Sequence, residues 1–202
     1  MRISPGDIRN AIVNPSYRIP KTRPEMKSAD SVFRKAIRLY HTRGVEEAMH
    51  YIESALAGEA WQAGRGATLA KNARQDLDAY IDLAAPDRRV AATVGKKQSV
   101  HVGELSVAAD VDVVLAADGT YVGRMAITAN LGRRLRADEL ALIAAAPLRG
   151  LIEDFEGGLF DDIVQAIEVW ELRLAAASVV ARSDAEAAWP SLVEHLRRAA
   201  SS

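Results

Sequence analysis

Three carboxylates fall close together in the middle of the chain: Glu104, Asp110 and Asp112. Asp110 and Asp112 are two residues apart, so on a strand they share a face. Converging carboxylate oxygens are what a hard cation such as magnesium or manganese requires, together with a substrate phosphate. The alternative is a half-exposed strand whose polar residues simply alternate with apolar ones. Other chemistries find less support. The chain has no cysteine, which excludes disulfides, thiolate zinc sites and cysteine nucleophiles. His41, His50, His101 and His195 stand apart, none at a two-histidine metal spacing. No serine occupies a Gly-x-Ser-x-Gly elbow. Gly64-Arg65-Gly66 with Lys71 lacks the Gly-Lys-Ser/Thr ending of a phosphate loop and reads as a helix start.

The stretch that must position these carboxylates is Val107–Thr128. Val107, Ala109, Val111, Val113 and Leu115 alternate with period two, and Asp118-Gly119 supplies the positive φ angles of a tight hairpin. With that pair in the turn, Ala117 faces Thr120, Asp112 faces Met125 and Asp110 faces Ile127. Upstream, Val90–Val94 and Ser99–Leu105 read as two strands joined at Gly95-Lys96-Lys97.

The first 86 residues read as mainly helical. Ser4-Pro5-Gly6-Asp7 is a helix start, with Ser4 as cap, and Asn14-Pro15 ends that helix. Phe33, Ala36, Ile37 and Tyr40 mark a helix over Ala29–His41. Val45, Ala48, Met49, Ile52 and Leu56 mark the next, and Ala70, Ala73, Leu77, Tyr80, Ile81 and Ala84 a third. After the sheet region, a helix over Ala137–Ala146 is expected to stop at Pro147, followed by a second piece over Leu148–Glu156. Ile163–Leu174 fits either a helix or a strand, and its β-rich composition favours a hairpin with the following Ser-Val-Val-Ala-Arg. Ser183-x-x-Glu186 reads as a capping box for a last helix carrying Trp189, Leu192, Val193 and Leu196.

A hydrophobic share of 49% and a charged share of 26% over 202 residues indicate one globular domain, with residues 1–86 helical and 87–202 containing the sheet. No apolar run reaches the length of a membrane span and the N-terminus lacks a signal-peptide core, so the chain reads as soluble and cytoplasmic, with no membrane partner. The net charge of −1 hides two opposite regions. Residues 1–43 hold ten Lys/Arg against three acids, and Arg18, Lys21, Arg23, Lys27, Arg34 and Lys35 are the candidate contacts to DNA or RNA phosphate. Residues 137–171 hold nine acids and one arginine, a candidate face for a protein partner or a homodimer. The two regions could equally meet inside the fold.

The order of these features resembles the PD-(D/E)XK phosphodiesterase superfamily, in particular its RecB-like exonuclease branch. The resemblance rests on the Ser4-Pro5 helix start, Asn14-Pro15-Ser16-Tyr17-Arg18, the helix over Ala29–Tyr40, and an Asp-bearing strand followed by an Asp-Gly turn. It implies an α/β fold with a restriction-endonuclease-like core, an antiparallel hairpin-centred sheet flanked by helices, beside an N-terminal helical annex. It also places Asp112 where the family keeps its metal-binding aspartate. The D/E-x-K positions fall on Met125-Ala126-Ile127, or on Arg124 and Ala126 with the register shifted by one, and Phe33 stands near the family's helical metal ligand. No register offers both the second carboxylate and the lysine. The expectation is therefore a non-catalytic, degenerate nuclease-like module that needs no cofactor and binds nucleic acid or a protein partner. The alternatives are a divergent magnesium- or manganese-dependent nuclease using Asp112 with Glu104 or Asp110, and a structural or regulatory dimerising protein.

Overall fold

Alternation and turn chemistry build the centre of the molecule. The computed structural model describes residues 1–20, 29–57, 64–96, 98–128, 132–155 and 164–201. Strand β5 (Val111–Ala117) turns at Asp118 and Gly119, both at positive φ, into β6 (Thr120–Ile127). The pairing begins at Ala117↔Thr120 and runs to Val113↔Arg124, the register the Asp-Gly turn predicts. Strand β2 (Val90–Lys96) pairs antiparallel with the other side of β5. Helix α5 (Ala137–Phe155) then crosses over to β7 (Val164–Glu171), which runs parallel to β6, and β8 (Ala176–Ala181) returns antiparallel. The resulting order is β2-β5-β6-β7-β8. Of Ile163–Leu174, Ile163 lies outside the described residues and the rest is strand followed by a short 3-10 turn at Leu172–Leu174, in line with its composition.

A second, three-stranded sheet comes from residues expected to lie in the first. Ser99–Leu105 is not one strand. Gly103, at φ 59°, breaks it into β3 (Ser99–Val102) and β4 (Leu105–Ala108), a hairpin flanked by β1 (Arg2–Ile3), which runs parallel to β4. Strand β2 pairs with β5 and β3 with β4, so these two strands, consecutive in the chain, lie in different sheets. Likewise the alternating run from Val107 is divided at Ala109-Asp110, where the chain leaves one sheet for the other. Period-two alternation cannot reveal such a change of sheet, since both strands keep it.

Helix α1 (Pro5–Val13) starts as expected, with a reciprocal capping box between Ser4 and Asp7. Helices α2 (Ala29–Arg43), α3 (Val45–Leu56) and α4 (Gly64–Ala84) follow. Their stripes follow the expected ones, with Tyr40, Met49, Leu56 and Ile81 partly buried; Val45 is exposed at the first position of α3, and the Ala70 side chain lies outside the described residues. Pro147 does not stop a helix. Helix α5 runs through it, because the apolar spacing Leu140, Ile143, Ala144, Leu148, Leu151, Ile152 continues in phase and its burial outweighs the lost hydrogen bond. Helix α6 (Arg182–Ala200) begins one residue before Ser183, with Ala181 at the cap and no capping side chain, so the expected capping box is absent. The Arg182–Glu186 pair, at 2.7 Å, holds the first turn instead.

The five-stranded sheet has two different coats. Helices α1, α5 and α6 join Val111, Val114, Met125, Ile127, Val164, Ile167, Val169 and Val180 of the sheet in one apolar core. Helices α2, α3 and α4 form a second core that takes only Ala126, Trp170 and Leu172 from the sheet and its following turn. The first 86 residues are therefore split between both faces, α1 on one and α2–α4 on the other. Among the described residues no helix is long and apolar enough to cross a membrane.

Candidate functional site

Asp112 lies where β5 and β6 part. The ladder ends at Val113↔Arg124, and Val111 and Val114, three residues apart, both enter the same apolar core. Strict alternation slips between them and turns Asp112 towards α2 instead of beside Met125. Its carboxylate is 3% exposed. One oxygen accepts the Ala126 backbone N–H at 2.7 Å, standing in for a missing strand-to-strand bond. The other accepts Nη1 of Arg34, from α2. Nη2 of Arg34 donates to the Ala126 carbonyl at 3.0 Å. One guanidinium thus ties a buried carboxylate and a strand-end carbonyl together, a geometry that suits arginine's planar fork better than a lysine's point charge.

This arrangement does not fit a hard divalent cation. Both oxygens of Asp112 are committed, and the space a metal would need beside them holds a positive charge. The companion carboxylates lie elsewhere. Asp110 accepts the Gln98 backbone N–H at 3.0 Å, and Glu104 sits exposed in the β3–β4 turn, its carbonyl bound to the Met1 ammonium at 2.7 Å. Among the described residues no group of three or more His, Asp or Glu could hold a metal. On β6 the residues turned to Asp112's side are Arg124 and Ala126, whereas Met125 and Ile127 enter the opposite apolar core. The register remains the one set by the turn, Val113↔Arg124, and the slip of alternation at Asp112 leaves a guanidinium and a methyl group on its side.

Arg34 also lines a cleft of about 410 Å³. Its walls are Pro5 and Arg9 of α1, Arg34 of α2 and Ile143 of α5, and its floor is Met125–Thr128 at the end of β6. Among the described residues its charged lining is Arg9 and Arg34. The other candidate phosphate contacts disperse. Arg18 is exposed and donates to the Tyr17 carbonyl at 3.0 Å, and Lys35 lies 4.6 Å over the Tyr51 ring. Lys21, Arg23 and Lys27 fall outside the described residues. Arg9, absent from the expected set, joins the cleft because Asp7 and Ser4 fix the start of α1 there.

Of the acidic region, Glu156, Asp161 and Asp162 lie outside the described residues, and several of the others turn inward. Glu139, Glu168 and Glu171 are buried. Glu139 accepts both terminal nitrogens of Arg133, and Glu171 accepts the Leu135 N–H at 2.9 Å. Glu168 belongs to a buried polar cluster. There Arg124, 1% exposed, donates Nε to Glu168 at 2.8 Å and Nη2 to Asp87, while its guanidinium stacks 3.7 Å from the Trp170 ring. Arg89 closes the ring on Asp87 and Glu168 at 2.8 and 2.6 Å. The Arg89 bond, assisted by Arg124, holds the Asp87 carboxyl well below the usual range. Nearby, Tyr80 Oη lies 2.7 Å from His41 Nε2, and burial, reinforced by the Arg124 charge, pulls the His41 pKa down to about 4. The sequence carries a signal for this cluster: Arg124 and Glu168 each interrupt an apolar strand, and a charge buried there needs a partner.

No protein-family model matches this chain, and no curated protein matches it.

Proposed function

We propose that the chain is a non-catalytic, nuclease-like module that binds nucleic acid. The observation that carries this reading is the Arg34 guanidinium fixed across Asp112 and the Ala126 carbonyl. The resemblance to the PD-(D/E)XK superfamily would place a metal ion at Asp112. Here an internal cation neutralises that carboxylate, and neither Arg124 nor Ala126 supplies the missing acid or lysine. The antiparallel run β2-β5-β6, followed by a helical crossover to a parallel β7, supports a restriction-endonuclease-like core. Among the described residues the D/E-x-K positions supply neither an acid nor a lysine to activate water, whereas a cleft lined by Arg9 and Arg34 suits phosphate binding.

The test is a paired assay on the intact protein. Labelled single- and double-stranded DNA and RNA should bind at low salt and be released as salt rises, with no cleavage in magnesium or manganese. Metal-dependent cleavage that disappears in Asp112→Ala would replace this reading with the divergent nuclease.

A further inference from the structure

The five-stranded sheet ends in two edges of unequal character. Strand β2 carries devices that keep an edge from pairing: a register shift between Ala91 and Thr93, the Arg38 side chain of α2 laid against Gly95, and Lys96 within the strand itself. Strand β8 closes the other end of the strand order and shows none of these among the described residues. It pairs with β7 without a register shift, and the sequence from Ala175 to Ala181, Ala-Ala-Ala-Ser-Val-Val-Ala, contains no charge and no proline. Val179 near its centre is 70% exposed, and Ala177 and Ala181 on the same face are exposed as well. A terminal strand directs every second N–H and C=O away from its one neighbour, so β8 offers a ladder for another strand.

We propose that β8 is a homodimer interface, where it pairs antiparallel with β8 of a second copy across a two-fold axis and joins the two sheets into one. The pleat restricts the register. Opposed residues point to the same face, and a two-fold axis through the sheet keeps each residue's face, so only residues of like parity meet. With Val179 on the axis, Val179 meets its own copy, Ala177 meets Ala181, and Ser178 meets Val180. The most exposed apolar side chain of the edge is then buried. The charges beside the strand agree with that register. Arg134, 63% exposed, reaches the Ser178 hydroxyl at 3.4 Å, and its other charged neighbour is Glu171 at 4.0 Å. Ser178 and Ala176 stand opposite Val180 and Arg182 of the second copy, where α6 begins. The first turns of that helix present Asp184 and Glu186, both exposed, and Glu186 is paired with Arg182. Asp184 is thus the acid that Arg134 meets, once in each half of the dimer. Such a contact is isologous and closes on itself, and with residues 177–181 of each strand paired it is small, hence weak and reversible. The assignment is independent of the nucleic-acid reading.

Sedimentation velocity on the intact protein from roughly 1 μM to 1 mM, the span in which a weak complex forms, should show a monomer–dimer equilibrium. Val179→Lys sets two like charges face to face on the axis and should weaken it about ten-fold or more. Position 179 is exposed, so the variant should fold, which thermal melting checks. The chain has no cysteine, so Val179→Cys gives one thiol per copy and tests the register without adding charge. On the axis the two Cβ atoms are opposed, and oxidised glutathione should link them into a disulfide dimer. Val90→Cys, at a residue 71% exposed on the guarded edge, should stay monomeric under the same treatment. A protein that remains monomeric throughout, a dimer that folded Val179→Lys leaves intact, or cross-linking at Val90 as efficient as at Val179 overturns the proposal. Mass growing beyond the dimer also overturns it, since that is the signature of β8 pairing with β2 of the next copy in an open chain.

Discussion

The two faces of the five-stranded sheet are held by different physics. Towards α1, α5 and α6 the sheet presents Val111, Val114, Met125, Ile127, Ile167 and Val169, and the contact is dry and apolar. Towards α2–α4, the described residues that join the second core are Ala126, Trp170 and Leu172, and arginines add to the attachment. Arg34 reaches from α2 to Asp112, Arg124 and Arg89 gather Asp87 and Glu168, and Arg173 bonds Asp76 of α4 at 2.8 Å and Gln75 at 3.0 Å. An apolar face tolerates small repacking but has no directional preference. An ionic face is directional, fixes the helices in one pose, and leaves an uncompensated charge if one partner is lost. The cleft opens along the border between these two regimes, which is why both cations and apolar side chains line it.

The comparison breaks most sharply at Arg124. Arg124→Ala leaves Arg89 alone to neutralise both Glu168 and Asp87 and opens a cavity beside Trp170, and urea unfolding should register a loss of about 3 kcal/mol. Replacing Arg124 and Glu168 together by Met and Leu should recover a large part of it. A loss below about 1 kcal/mol in the single variant would remove the distinction between the faces, since that is what a surface pair gives.

On the apolar face Leu151→Ala should cost about 3 kcal/mol through lost transfer energy and the cavity left behind, by the same unfolding measurement. No second substitution should rescue it as the Met/Leu pair rescues Arg124, because no charge is left behind.

Close packing on that face is sharpened by Gly150, where an added Cβ would stand 2.6 Å from the Ala109 Cβ and 3.4 Å from its carbonyl oxygen. These neighbours belong to backbone-bound atoms that cannot swing aside, so Gly150→Ala should lower stability by about 1–3 kcal/mol. Unchanged stability would mean that α5 can shift on the sheet.

The smallest effect is one of pH. An unfolded histidine titrates near 6.5, and His41 in the fold near 4. Between those values the unfolded chain holds a proton that the folded one lacks, so stability declines as pH falls from about 6.5 to about 4 and is unaffected above that window. Comparing the pH dependence of unfolding in His41→Gln with the intact protein isolates the contribution. An unchanged slope would show that His41 is solvated, and that the ionic face is wetter than its geometry indicates.

Local chemistry was readable in the sequence wherever neighbours along the chain settle the outcome. The Asp118-Gly119 turn set the β5–β6 register, Ser4 with Pro5 set the start of α1, and helical stripes such as Phe33, Ala36 and Ile37 set which sides are buried. These follow from φ preferences, capping bonds and a 3.6-residue period, all of which act over a few residues. Where local signals misled, a distant element had intervened. Pro147 reads as a stop until the apolar core holds α5 together across it, and Ser183 reads as a cap until the chain leaves β8 directly into α6.

The candidate site belongs almost wholly to the second category. The sequence by itself determined that Asp112 sits on a hairpin strand, that a basic helix precedes it by most of a hundred residues, and that the D/E-x-K positions lack an acid and a lysine together. Only the tertiary structure decided that the alternation slips at Asp112, that Arg34 fills the space beside it, and that Arg9 shares the cleft. It also decided that Glu104 and Asp110 go elsewhere and that Glu139, Glu168 and Glu171 turn inward rather than forming an acidic surface. The reason is physical. A buried charge must find its counterion, and which counterion lies within reach depends on how helices pack across a sheet, a matter of spatial proximity that no periodicity along the chain encodes.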